Sequence, residues 1–114
     1  MNECIFDKII TGEIPAEIVW ESERVLAFYD INPQAPVHVL IIPKKHIESL
    51  NSAQPDDSEI LGELMLSVKE VARELKVRQD GYRIIINNGK SAGQLVPHIH
   101  LHLLAGKDLG PKII

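Results

Sequence analysis

Cysteine is nearly absent: Cys4 is the only one in 114 residues, which excludes an internal disulfide and suits a reducing compartment. Long apolar runs are missing as well. Runs such as Val39 to Ile42 fall far short of the roughly 20 residues that a membrane-crossing helix needs. No basic segment followed by an apolar run opens the chain, so a cytoplasmic protein without a membrane partner is expected. Nor is there an excess of positive charge. A formal net charge of -4 and a pI near 5.7 remove any general attraction to polyanions, so nucleic acid is not an expected partner. A phosphate-bearing ligand would have to be held by local groups. Repeats, low-complexity tracts and linkers are also lacking, and a hydrophobic fraction of 45% with 25% charged residues is that of an ordinary globular protein. One domain over residues 1–114 is expected.

Ile5, Phe6, Ile9 and Ile10 recur at helical spacing ahead of Gly12, which predicts a short helix over Cys4 to Thr11. Glu17 to Trp20 and Val25 to Tyr29 are β-prone runs around a turn-like Glu21 to Arg24, a hairpin pattern. The loop Asp30 to Pro36 leads into a central strand over Val37 to Ile42, interrupted only by His38. Ile60, Leu61, Leu64, Met65, Val68, Val71, Ala72 and Leu75 form one stripe of an amphipathic helix. Pro55, Asp56, Asp57 and Glu59 gather at its N-terminal end, and Lys69, Arg73 and Lys76 follow towards the other. Strands over Tyr82 to Asn87 and Val96 to Leu104, joined by a glycine-bearing loop, complete an α+β pattern with an antiparallel sheet.

The most informative segment is Pro97 to Leu104, where His98, His100 and His102 alternate with Ile99, Leu101 and Leu103. In an extended strand the three imidazoles would share one face, roughly 6.5–7 Å apart. Three readings suit that pattern. Histidines on one strand face can converge on a zinc ion; a neutral imidazole can attack an electrophile while its neighbours supply protons and charge; or histidine simply forms the polar side of a half-exposed strand. The preceding loop bears on the choice. Gly89 and Gly93 allow close approach of the backbone to a ligand, and the loop's N–H groups can form an anion-binding concavity. Asn87 can donate to the same place. These groups serve a phosphate better than a metal, and no carboxylate or thiolate lies near the histidines in sequence.

His98-Ile99-His100-Leu101-His102-Leu103-Leu104 resembles the alternating signature of the histidine triad superfamily, nucleotide hydrolases and transferases acting at an α-phosphate. Ile5 to Ile10, Glu13 to Pro15, Ala27 to Ile31, Pro33 to Pro36, Ile42 to His46 and Gly93-Gln94 look like its Hint branch. The resemblance implies a five-stranded antiparallel sheet with one long and one short helix, extended to ten strands in a homodimer. It implies a purine nucleoside phosphoramidase that cleaves the P–N bond of AMP or GMP conjugates, with no cofactor. His100 would be the nucleophile. His102, Asn87 and the Gly93 N–H would hold the non-bridging oxygens, with Gln94 beside them in the substrate-binding loop, and His98 and His38 would complete the cluster behind. Asp30 matches the ribose-binding position. Ile5, Phe6, Ile9, Phe28, Tyr29 and Ile31 match the apolar walls around the purine, although the isoleucines and Phe6 also read as plain helix core.

Two departures from the Hint pattern stand out. Leu95 replaces a serine that serves the departing amine in some members, and the tail Gly106 to Ile114 lacks the tryptophan ending of animal Hint proteins. Some histidine triad proteins bind zinc through Cys-x-x-Cys and two distant histidines. Here the second cysteine position is Asp7, with His46 and His98 as the distant pair. Carboxylate for thiolate weakens such a site, so Cys4 is expected to pack as a small apolar residue and no metal is expected. Two rival functions share the motif: a dinucleoside polyphosphate hydrolase of the fragile-histidine-triad type, and a nucleotide-binding interaction protein with vestigial hydrolysis.

Overall fold

The alternation of buried residues in the strands requires cover on both faces, and the computed structural model, which describes residues 4–114, provides it. A short helix α1 (Ile5–Ile10) leads into β1 (Ile18–Glu21), β2 (Val25–Tyr29) and β3 (Val37–Pro43); a long helix α2 (Ser58–Glu74) precedes β4 (Arg83–Ile86) and β5 (Leu101–Ala105). The five strands form one antiparallel sheet in the order β1-β2-β3-β5-β4. β5 thus inserts between β3 and β4, and the last histidine is brought beside the first.

Val25, Ala27, Val39, Ile41, Leu101 and Leu103 turn to one face and pack on Leu64, Val68, Val71 and Ala72 of α2. Leu26, Phe28, Leu40 and Ile42 turn to the other and meet Cys4 and Phe6 of the α1 region. Strand residues buried on both sides read as continuous apolar runs, which is why β2 and β3 do so. At six residues α1 is too short to persist alone. It depends on Phe6, 5% exposed, and on the Cys4 N–H donating to the Asp7 carboxylate at 3.2 Å.

Three expectations shift. Pro55–Asp57 forms a separate 3₁₀ turn ahead of α2, pinned by the Gln54 N–H on Asp57 at 2.8 Å and by an ion pair between Asp57 and Lys45. Met65 leaves the apolar stripe and is 54% exposed; Ser67 takes the buried place, its hydroxyl donating to the Leu64 carbonyl at 2.6 Å. The regular part of the last strand begins only at Leu101, because the chain bends through Val96 to His98.

The turn after β5 demands glycine. Gly106 has φ +91°, and a Cβ there would lie 2.9 Å from Pro36 Cβ and 3.3 Å from the Val37 backbone N. Gly12, at φ +85°, faces open space. Urea denaturation should therefore show Gly12→Ala losing about 1 kcal/mol and Gly106→Ala about 2–4 kcal/mol; equal losses would mean that the Pro36 contact carries no strain.

Candidate active site

The bend that shortens β5 creates the central feature of the site. The His98 N–H donates to the Val96 carbonyl at 2.8 Å and the Ile99 N–H to the Ile47 carbonyl at 2.7 Å, so the main chain curls before the strand starts. The His98 carbonyl then meets the ring two residues on, and His100 Nδ1–H donates to it at 2.7 Å. Because that proton sits on Nδ1, Nε2 of the neutral ring keeps its lone pair. Phe6 stands edge-on to this ring, with centroids 5.1 Å apart.

His38 and His102 form a second hydrogen-bonded unit. The Gln34 N–H donates to His38 Nδ1 at 3.0 Å, which leaves the proton of that ring on Nε2. His38 Nε2 lies 3.0 Å from His102 Nδ1, so His102 accepts there and carries its own proton on Nε2, on the histidine face. Burial, together with the charges His100 and His38 would bear, pushes the His102 imidazole down to about 4 against the opposing pull of Asp30. Burial lowers His38 likewise, again opposed by Asp30. At neutral pH His102 is therefore a neutral Nε2–H donor beside the nucleophile candidate, their centroids 5.0 Å apart.

His98, fully buried, lies on the same side as the other two, with Phe6 edge-on to its ring at 5.8 Å. Its Nε2–H donates to the Pro43 carbonyl at 2.8 Å, and its Nδ1 faces α1. There Cys4 Sγ lies 3.4 Å and Asp7 Oδ1 3.4 Å away. Asp7 Oδ2 is 2.9 Å from His46 Nδ1, and Cys4 Sγ 3.8 Å from it. Burial, with Asp7 alongside, raises the Cys4 thiol. Burial acts to raise Asp7 too, but hydrogen bonds from Cys4 and the adjacent His46 and His98 outweigh it and hold the carboxyl low. Cys4 is buried as expected, yet its sulfur faces ligand atoms and not hydrocarbon alone. The edges of a tetrahedral zinc site measure about 3.3–3.6 Å, so this donor set fits zinc. Cys4, Asp7, His46 and His98 would hold the ion as a clamp between α1 and the bent segment ahead of β5, with the Pro43 carbonyl orienting His98 from behind.

A cavity of about 270 Å³ opens beside Phe6, lined by the expected Ile5, Phe6, Ile9, Phe28, Tyr29 and Ile31, with Asp30 at its wall. Its unexpected members are Ile14, Pro15, Ala16, Glu17 and Leu40. Leu40 was legible by alternation, two residues beyond His38; the 14–17 segment comes in only because the chain folds back after Gly12. The phosphate-side loop differs from expectation. The Gly93 N–H donates to the Lys90 carbonyl at 3.0 Å within a 3₁₀ turn. The Gln94 side chain is spent on the loop, accepting from the Gly89 N–H at 2.8 Å and donating to the carbonyls of Glu48 at 2.7 Å and Val96 at 3.1 Å. Through these bonds Gln94 braces the loop. Ile85 pairs with His102, and alternation puts Asn87 on that same face just past β4.

The HIT domain family model matches residues 11–109. A purine nucleoside phosphoramidase of Escherichia coli is 44% identical over 112 residues, 98% of this chain and 94% of that protein. An uncharacterized HIT-like protein of Synechocystis sp. is 54% identical over 106 residues, 93% of this chain and 92% of that protein. The solved structure of a HIT family hydrolase from Clostridium thermocellum superposes with a TM-score of 0.95 at 48% identity, covering 100% of this chain and 99% of that one.

Lowered imidazole values make stability depend on pH. Unfolded His38 and His102 take up protons near pH 6.5 that the folded rings refuse, so stability is full above about pH 7 and falls as the pH drops towards 4. Thermal melts should show a loss of about 1 kcal/mol or more between pH 7.5 and 5, and a shallower slope in His102→Gln. Zinc is expected to raise the melting temperature of the wild type by several degrees and to leave Cys4→Ser unmoved. A wild-type melt insensitive to zinc would reduce Cys4 to a buried thiol donating to His98.

Proposed function

Since this chain belongs to the HIT domain family, whose relatives here include hydrolases, we propose that it cleaves the P–N bond of purine nucleoside phosphoramidates. The observation that carries this reading is the 2.7 Å hydrogen bond from His100 Nδ1–H to the His98 carbonyl, which leaves Nε2 as the nucleophile. Nε2 attacks the α-phosphorus, the N–P bond forms and the bond to the amine breaks. The amine takes its proton from water, because Leu95, 92% exposed, offers no hydroxyl. Water then attacks phosphorus, releases the nucleotide and returns Nε2. Splitting the displacement in two avoids direct attack by a weakly nucleophilic water.

His102 Nε2–H and the Asn87 amide are the donors for the non-bridging oxygens, where charge builds in the transition state. The cavity beside Phe6 takes the purine, and Asp30 the ribose hydroxyls. Zinc at Cys4 and its neighbours would act as a structural clamp, and no step of hydrolysis passes through it. The chain is also read as a homodimer in the cytoplasm: β4 is an edge strand, and Met65 and Leu66 lie exposed on α2. Leu95 favours one second reading. A leaving phosphate needs no proton, so a dinucleoside polyphosphate would lose less than an amine conjugate by the missing hydroxyl.

Steady-state hydrolysis of a fluorogenic adenosine phosphoramidate and of a diadenosine triphosphate tests both. The amine conjugate is expected to be the better substrate, with or without chelator, and His100→Ala to lower kcat about a thousandfold or more. Preference for the triphosphate would favour the second reading. Tight AMP binding with turnover no greater than that of His100→Ala would leave a binding protein.

A further inference from the structure

Asp30, which the family resemblance assigns to the ribose alone, sits against the phosphate-binding histidines. It follows β2 directly, and its N–H donates to the His38 carbonyl at 3.0 Å. Its Oδ1 accepts the Asn32 N–H at 2.7 Å, a local turn that fixes the carboxylate. Oδ2 is thereby held 3.5 Å from His38 Nε2, with only 4% and 18% of the His38 and Asp30 side chains exposed. The proton on His38 Nε2 thus has two acceptors, His102 Nδ1 at 3.0 Å and the Asp30 carboxylate at 3.5 Å. The ligand-type atoms of Asp30, His38 and His102 all lie within 4.8 Å of one another.

We propose that Asp30 is a positioning residue for the chemical step, acting through His38 to hold His102 as the Nε2–H donor. The inference rests on the hydrolytic reading above. The chain of contacts runs from the Gln34 N–H through His38 to His102, and each bond sets the proton of the next ring. When the non-bridging oxygens draw on His102 Nε2–H, Nδ1 becomes a better acceptor and the bond from His38 Nε2–H strengthens with it. The Asp30 carboxylate facing His38 Nε2 keeps the proton on that nitrogen, because a lone pair there would be repelled by the negative charge. No proton leaves the chain. One carboxylate therefore serves nucleoside recognition and phosphate chemistry together.

The two roles separate on a substrate without ribose hydroxyls. Asp30→Asn keeps an oxygen for the Asn32 N–H while removing the charge. With a 2′,3′-dideoxyadenosine phosphoramidate, Asp30→Asn is expected to lower kcat about tenfold with KM nearly unchanged. In a His38→Asn background the same change should cost less than twofold. Equal turnover of the dideoxy substrate by wild type and Asp30→Asn would overturn the proposal, as would a loss undiminished when His38 is replaced. Nitrogen-15 spectra of histidine-labelled protein need no turnover. The widely separated ring nitrogens of His102 should move together in Asp30→Asn while those of His98 stay put; an unchanged His102 pattern refutes the proposal. A protein that hydrolyses no phosphoramidate would sink the functional reading, and the spectra would still decide this one.

Discussion

The free ring nitrogen of His100 depends on a backbone carbonyl. His98 C=O takes the Nδ1 proton of His100, and because a carbonyl only accepts, it selects the tautomer of the neutral ring whose Nε2 is free. A carboxylate in its place would stabilise the imidazolium and spoil the lone pair. Much of the nearby architecture holds that carbonyl still. The His98 ring is bonded to Pro43 at the end of β3, its other nitrogen faces Cys4 and Asp7 at the start of α1, and the Ile99 N–H is bonded to Ile47. Helix, central strand and loop therefore converge on two residues of bent chain.

Buried imidazoles are costly when charged, and the molecule avoids charging them. His38 and His98 are held neutral by burial, and His102 is pushed down to about 4. Each of their ring nitrogens that faces the protein interior has a named partner, and among the described residues no buried side-chain nitrogen or oxygen lacks one. A neutral site of oriented donors can answer charge developing on a phosphate without first paying for cationic rings in a low-dielectric interior. The acidic groups are placed accordingly. Asp7 stands behind His98 and Asp30 beside His38.

Periodicity carried much of the fold. β2 over Val25–Tyr29 and the core of α2 followed from spacing alone, because residues buried on one helical face or in a two-sided strand must be apolar. Met65 and Ser67 show the limit: one position of helical phase separates an exposed from a buried residue, and the neighbouring strands decide which. The alternating histidines suggested one uniform strand. Only His102 falls in its regular part because Val96 to His98 bend, and that bend depends on partners more than forty residues away, such as Ile47 and Pro43. The partners of Gln94 were hidden for a related reason, since its amide meets Gly89, Glu48 and Val96 only once the loop closes.

By itself the sequence determined the α+β architecture and the family, since each is written in local patterns of residue type. Only the tertiary structure decided which nitrogen of each ring carries the proton, that Cys4 and Asp7 meet His46 and His98, and that Asp30 abuts His38. Those are properties of distance between chain segments far apart in sequence. Hydrogen bonds and charges act over a few ångströms, and no local pattern records which remote groups the folded sheet brings within that range.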